Sequence, residues 1–212
     1  VIRVKICGIN HPAAFDAATA ADWIGFVFYP RSPRYITAET AAALSARKPG
    51  GPQRVGLFVE PSDDEITAVL ARVSLDVLQI YAKPGRVADL TARFAMPVWR
   101  AVPVQTGPDL PSSAGAAAAL LIEPRPPADA ARPGGNAQLL DWSLLTGWRA
   151  PCPWLLAGGL RPDNVARAIA QSGARAVDVS SGVEDAPGRK SPALITEFIA
   201  AANTAATPSA PS

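Results

Sequence analysis

Lys5 and Cys7 stand two residues apart in the run Val4-Lys5-Ile6-Cys7-Gly8-Ile9. Residues at that spacing share one face of a strand, so an amine and a thiol project in the same direction. A cation beside a thiol favours the thiolate, the form in which cysteine acts as a base or nucleophile. Cys7 is expected one step past a short apolar strand. In parallel α/β proteins that position faces the active-site mouth, because side chains at the carboxyl ends of the strands open into it. Further along, Ala157-Gly158-Gly159-Leu160 and Val179-Ser180-Ser181-Gly182-Val183 each form a glycine-containing turn after an apolar run. Such turns present backbone N–H groups at a strand-to-helix junction, where they bind phosphate. The implied ligand is a phosphorylated small molecule. Asp178 shares a strand face with Ser180 and points toward the same mouth, where it could hold sugar hydroxyls.

Elements that would position these groups recur along the whole chain. Short β-branched or aromatic runs occur at 2–6, 24–28, 54–59, 77–80, 98–102, 119–122, 154–157 and 177–179. Between them lie alanine-rich segments with helix-start signals: Pro12 in a first turn, Thr37 ahead of Ala38-Glu39, the capping box Ser62-Asp63-Asp64-Glu65, and Pro162 after Arg161. This alternation predicts an α/β fold, a closed (β/α)₈ TIM barrel, with a doubly wound open sheet as the alternative. The two glycine turns then follow the seventh and eighth strands, where barrels commonly hold a phosphate. The stretches 105–113 and 124–135 fit the helix pattern poorly, and the second is a long loop at the mouth. Residues 1–203 read as one domain and 204–212, small and rich in Pro and Ser, as a disordered tail.

Composition narrows the function classes. The chain has 212 residues, 49% of them apolar, and a formal charge of +2. Its 20 Lys and Arg are scattered, so no basic face suited to nucleic acid is expected. Cys7 and Cys152 are too far apart, and too few, for a disulfide framework or a zinc site, which points to a reducing cytoplasm. No run of about 18 apolar residues occurs, so neither membrane insertion nor secretion is expected. His11, beside Pro12, reads as a surface residue at a helix start, and Cys152 lies at the end of its strand away from the mouth. The five tryptophans read as core packing.

Several ordered segments carry a resemblance: VKICGI at 4–9, GFVFYPRSPRYI at 25–36, PGG at 133–135 with DW at 141–142, LAGGLRPDNV at 156–165 and VDVSSGVEDAPGRK at 177–190. With these the chain resembles the phosphoribosylanthranilate isomerase family over nearly its full length. The resemblance implies a single barrel, no cofactor and no metal, and an Amadori rearrangement in tryptophan biosynthesis, carried out by a monomer or homodimer. It implies Cys7 as general base and Glu123 as general acid, with Arg34 pairing the anthranilate carboxylate. Gly158, Gly159, Ser181 and Gly182 would hold phosphate, and Asp178, Ser180 and Tyr81 would line the substrate. Five positions depart from the family's usual pattern. Glu123 replaces an aspartate, Tyr81-Ala82 a histidine and glycine, Ala137 a glycine, and Ser191 an aspartate. Two other functions fit the same residues: a barrel isomerase acting on another phosphorylated sugar conjugate, and a non-catalytic barrel that binds a phosphorylated ligand.

Overall fold

In the computed structural model, which describes residues 1–127, 134 and 138–205, eight parallel strands close into a barrel. They are β1 (Arg3–Cys7), β2 (Trp23–Val27), β3 (Gln53–Val59), β4 (Val77–Tyr81), β5 (Val98–Val104), β6 (Ala119–Pro124), β7 (Trp154–Leu156) and β8 (Ala176–Val179). Each pairs with the next, and β8 returns to β1 with Lys5 opposite Asp178. The (β/α)₈ barrel expected from the alternation is therefore present and the open sheet is not. Cys7 is the last residue of β1 rather than one step beyond it, and β5 and β6 each run two residues further than their apolar cores.

Period-two alternation sorts the strand side chains into two sets. Val4, Ile6, Ile24, Phe26, Phe58, Leu78, Ile80, Leu120 and Ile122 belong to the main cluster, packed with helix residues. The alternate residues Trp23, Val55, Val77, Trp99, Leu121 and Leu155 form a separate cluster inside the barrel. There Trp23 and Trp99 meet edge to face at 5.1 Å, filling its amino-terminal end. Above that floor the inward positions turn polar, with Lys5, Cys7, Gln79, Glu123 and Asp178 all buried. The barrel thus has a packed lower half and an upper half built for chemistry.

The helices are α1 (Pro12–Ala17), α2 (Ala38–Ser45), α3 (Asp63–Leu70), α4 (Pro84–Phe94), α5 (Val165–Ser172) and α6 (Pro192–Thr204). Thr37 caps α2, and the Ser62/Glu65 capping box opens α3 as its sequence predicts. After β5 and after β6 the described residues form only short 3₁₀ turns, Gly107–Asp109 and Trp142–Leu145. The poor helix pattern of 105–113 has this physical outcome. Most of the 124–135 loop, with Ala137, lies outside the described residues. Pro162 does not start a helix: α5 begins at Val165, because Asn164 turns back to accept from Arg161 N at 2.8 Å and to donate to Gly159 O at 3.0 Å. Helix α6 runs through Thr204, so that residue is not part of a tail, and residues 206–212 lie outside the described residues. Among the described residues no helix is long and apolar enough to cross a membrane.

A short antiparallel hairpin, marked by no apolar run in the sequence, follows β8. Its arms are β9 (Glu184–Ala186) and β10 (Arg189–Lys190), and its register sets Lys190 opposite Glu184.

Candidate active site

One cavity at the carboxyl ends of the strands gathers every residue expected to act: Cys7, Arg34, Tyr81, Glu123, Gly158, Gly159, Asp178, Ser180, Ser181 and Gly182. They come from six different strand ends and their loops, as barrel mouths are assembled.

Lys5, Cys7 and Asp178 form the floor. Lys5 is completely buried and donates to Asp178 Oδ1 at 2.8 Å, a contact fixed by the β1–β8 register. Gly25 on β2 lies opposite Cys7, and a Cβ there would come within 3.0 Å of Cys7 Sγ and 3.1 Å of Lys5 Nζ. The missing side chain is the room in which amine and thiol coexist. The electrostatics correct the expectation of a ready thiolate. Burial pushes the Cys7 thiol above its ordinary range, and Lys5 only partly offsets that because Asp178 engages the same ammonium and itself disfavours the thiolate. For Lys5 burial acts to lower the pKa, but Asp178 and Cys7 outweigh it, raise the ammonium above its ordinary range and keep it charged.

Across the mouth, Glu123 sits near the end of β6. Burial raises its carboxyl pKa from the usual carboxylate range to about 8, a rise that the Tyr81 hydrogen bond and Lys5 moderate. At neutral pH it therefore carries its proton. Tyr81, at the end of β4, donates its hydroxyl to Glu123 Oε2 at 3.1 Å, and burial raises its own pKa well above that of free tyrosine. Val27, Leu57, Val59, Tyr29 and Tyr81 pack around Cys7 and give this side of the cavity an apolar wall.

Arg34 is buried, and its guanidinium is gripped through Nε and Nη2 by both carboxylate oxygens of Glu184, at 2.6 and 2.8 Å. Its remaining nitrogen, Nη1, has no partner among the described residues. Lys190 completes the group, donating to Glu184 Oε1 at 2.6 Å and to Ser180 O at 2.9 Å. Burial lowers the Lys190 pKa to about 8 despite Glu184. Glu184 is raised by burial, but its two cations outweigh that and hold it below the usual range. Glu184 and Lys190 are not among the site residues expected from the sequence. Their signal was the Pro187-Gly188 turn between them, which folds the hairpin that sets one opposite the other.

The glycine turns after β7 and β8 face each other. Gly158 has a φ of 89°, open to glycine at little cost, and any Cβ on Gly182 would collide with Leu160 O. No hydrogen bond among the described residues occupies the N–H of Gly158 or Gly159. Ser180 is committed elsewhere: its hydroxyl donates to Cys7 O at 3.2 Å, tying the β8 turn to the end of β1. Ser191, one of the departures, does not touch the mouth chemistry. It caps α6 by accepting from Leu194 N, a role serine shares with aspartate. His11 likewise caps α1, through Nδ1.

The family model for N-(5'-phosphoribosyl)anthranilate (PRA) isomerase matches residues 4–201. The chain belongs to the phosphoribosylanthranilate isomerase family. Among curated relatives, the N-(5'-phosphoribosyl)anthranilate isomerase of Acidiphilium cryptum (strain JF-5) is 54% identical, covering 96% of this chain and 99% of that protein. Among solved structures, TrpF from Jonesia denitrificans aligns with a TM-score of 0.82 at 37% identity, covering 99% of this chain and all of that one. A phosphoribosyl anthranilate isomerase in complex with reduced 1-(o-carboxyphenylamino)-1-deoxyribulose 5-phosphate aligns with a TM-score of 0.80 at 35% identity, over 96% of this chain and all of that one. Family membership and barrel geometry agree over the same span. Of the departures that the sequence resemblance implies, Glu123 and Tyr81 lie in the cavity and touch each other.

Proposed function

We propose that this chain catalyses the phosphoribosylanthranilate isomerase reaction of tryptophan biosynthesis. N-(5-phosphoribosyl)anthranilate is rearranged to 1-(2-carboxyphenylamino)-1-deoxyribulose 5-phosphate. The observation that carries the mechanism is that Glu123, held in its acid form, and Cys7 beside Lys5 line one cavity together with two glycine turns.

The reaction balances on these two groups alone. Glu123 gives its proton to the ribose ring oxygen as the C1–O bond breaks, and the anilino nitrogen lone pair forms C1=N. Cys7, as thiolate, takes the proton from C2, and the freed electron pair forms C1=C2 and neutralises the iminium. The enol proton then passes to the Glu123 carboxylate and the Cys7 proton to C1, which leaves the ketone and restores both groups. Substrate and product are isomers, so no co-reactant enters. Because burial favours the neutral thiol, the positive charge of Lys5 is what stabilises the thiolate as it forms. The backbone N–H groups of Gly158, Gly159, Ser181 and Gly182 hold the phosphate. The aromatic ring lies against Val27, Leu57 and Tyr81, its carboxylate on the free edge of Arg34, and Asp178 has one oxygen left for a sugar hydroxyl.

The test is a direct assay of purified protein with phosphoribosylanthranilate, following the loss of anthranilate fluorescence. Turnover abolished by Cys7→Ala and competed by inorganic phosphate supports the reading. Tight binding of the reduced product analogue with no turnover would instead make the protein a binding barrel.

A further inference from the structure

Tyr81 and Glu123 stand on β4 and β6, strands separated by β5, so nothing in the sheet ladder brings them together. Their contact is made by side-chain length. The phenol reaches over the mouth to Oε2, while Oε1 is buried with no hydrogen-bond partner among the described residues. The two oxygens of one carboxyl are thus unequal. A neutral carboxyl has one carbonyl oxygen, the better acceptor, and one hydroxyl oxygen. A donor fixed on Oε2 favours Oε2 as the carbonyl and places the acid proton on Oε1.

We propose that Tyr81 is a positioning residue for Glu123: its hydroxyl holds Oε2 as acceptor and thereby keeps the transferable proton on Oε1. The inference rests on the acid role given to Glu123 above. When that proton leaves Oε1 for the substrate, the carboxyl becomes a carboxylate and the Tyr81 bond becomes charge-assisted, so it strengthens as the reaction proceeds. Interactions that strengthen in this way lower the barrier rather than merely tighten binding. Gly134 closes over the pair. A Cβ there would collide with the Tyr81 hydroxyl and approach Glu123 Oε2 to 3.1 Å, so the glycine admits the contact. The longer carboxyl and the phenol, two of this chain's departures from its family's usual residues, therefore act as one unit. The other titratable groups that face Glu123 are Asp178 on β8, which raises its pKa, and Lys5 on β1, which lowers it.

The experiment compares the parent, Tyr81→Phe, Glu123→Asp and the double variant as full chains. Tyr81→Phe is expected to lose about tenfold or more in kcat with KM within about threefold, as for the loss of a bond made stronger in the transition state. The same change should cost less when Glu123 is already aspartate, whose carboxyl falls short of the hydroxyl. A second readout needs no turnover. The Tyr81 bond lowers the Glu123 pKa, so carbon NMR of the labelled carboxyl should show it titrating at higher pH in Tyr81→Phe than in the parent. Fluorotyrosine at position 81, a stronger donor that keeps the ring, should move it to lower pH. An unshifted carboxyl titration in both, an effect on KM alone, or equal cost in the two backgrounds would overturn the inference. An inactive parent would bring down the proposed reaction, and the carboxyl titration would then judge the Tyr81 contact by itself.

Discussion

In the proposed reaction Glu123 and Cys7 do opposite work with one physical cause. Burial raises both, which suits a carboxyl that must hold a proton at neutral pH and opposes a thiol that must lose one. Removing the proton while keeping the shape, Glu123→Gln should lower kcat by about 10²-fold or more in the fluorescence assay. Glu123→Asp keeps an acid and should lose less. An equal loss in both would assign the effect to geometry rather than to proton donation. Cys7→Ser should cost about 10² to 10⁴ in kcat with little change in KM, since a hydroxyl is a far weaker base than a thiolate in a site of unchanged shape. The raised thiol adds a sharper expectation. In the free protein Cys7 should react with iodoacetamide more slowly at pH 7 than an unperturbed thiol, and faster as pH climbs past the usual thiol range. Rapid labelling at pH 7 would show that Lys5 outweighs burial after all.

At the scale of elements, the β9–β10 hairpin makes Arg34 usable. The guanidinium is held bidentate by Glu184, itself held by Lys190, so one edge of Arg34 is spent on the fold and the other is free to meet a carboxylate. Arg34→Ala should raise KM for the anthranilate conjugate by roughly tenfold or more, the worth of a charge-assisted bond, with inhibition by inorganic phosphate unchanged. Arg34→Lys should not restore it, because one ammonium cannot grip Glu184 with two parallel bonds and face the ligand as well. A lysine variant with parental KM would mean that charge alone suffices. The strands were readable because short β-branched or aromatic runs recur between alanine-rich segments with helix-start signals, and the capping box at Ser62 fixed where α3 starts. The hairpin was not, since two and three residues of polar strand carry no alternation to read. Pairings such as Arg34 with Glu184, 150 residues apart in the chain, depend on a register that no local pattern encodes. The direction of the Cys7 shift was missed for the same reason: spacing placed Lys5 beside the thiol, but only the β1–β8 register shows Asp178 already holding it.

For the molecule as a whole, buried ionisable groups in the upper barrel make stability a function of pH, and their windows separate. Carboxylates whose pKa is lowered, such as Glu184, contribute above the ordinary carboxylate range and lose their contribution only in acid. Glu123 has the reverse sign. Its folded pKa of about 8 lies above its ordinary value of 4.5, so its contribution is complete below 4.5 and is lost as pH rises through about 8. Lys190, lowered from 10.5 to about 8, binds its proton less tightly folded than unfolded, so its part favours folding increasingly from about 8 to 10.5. Of these three groups, Glu123 is the one whose contribution changes most between pH 5 and 8. Urea denaturation across that window should show the parent losing stability on the order of 3 kcal/mol as pH rises, the value expected for one carboxyl forced to ionise in a buried site. Glu123→Gln cannot ionise, so its midpoint should stay level from pH 5 to 8, and it should overtake the parent near the upper end even though it has lost catalysis. A parent midpoint that is flat over this range, or a glutamine variant that falls alongside it, would show that Glu123 is already ionised in the folded protein at neutral pH. It could not then serve as the acid that opens the ribose ring.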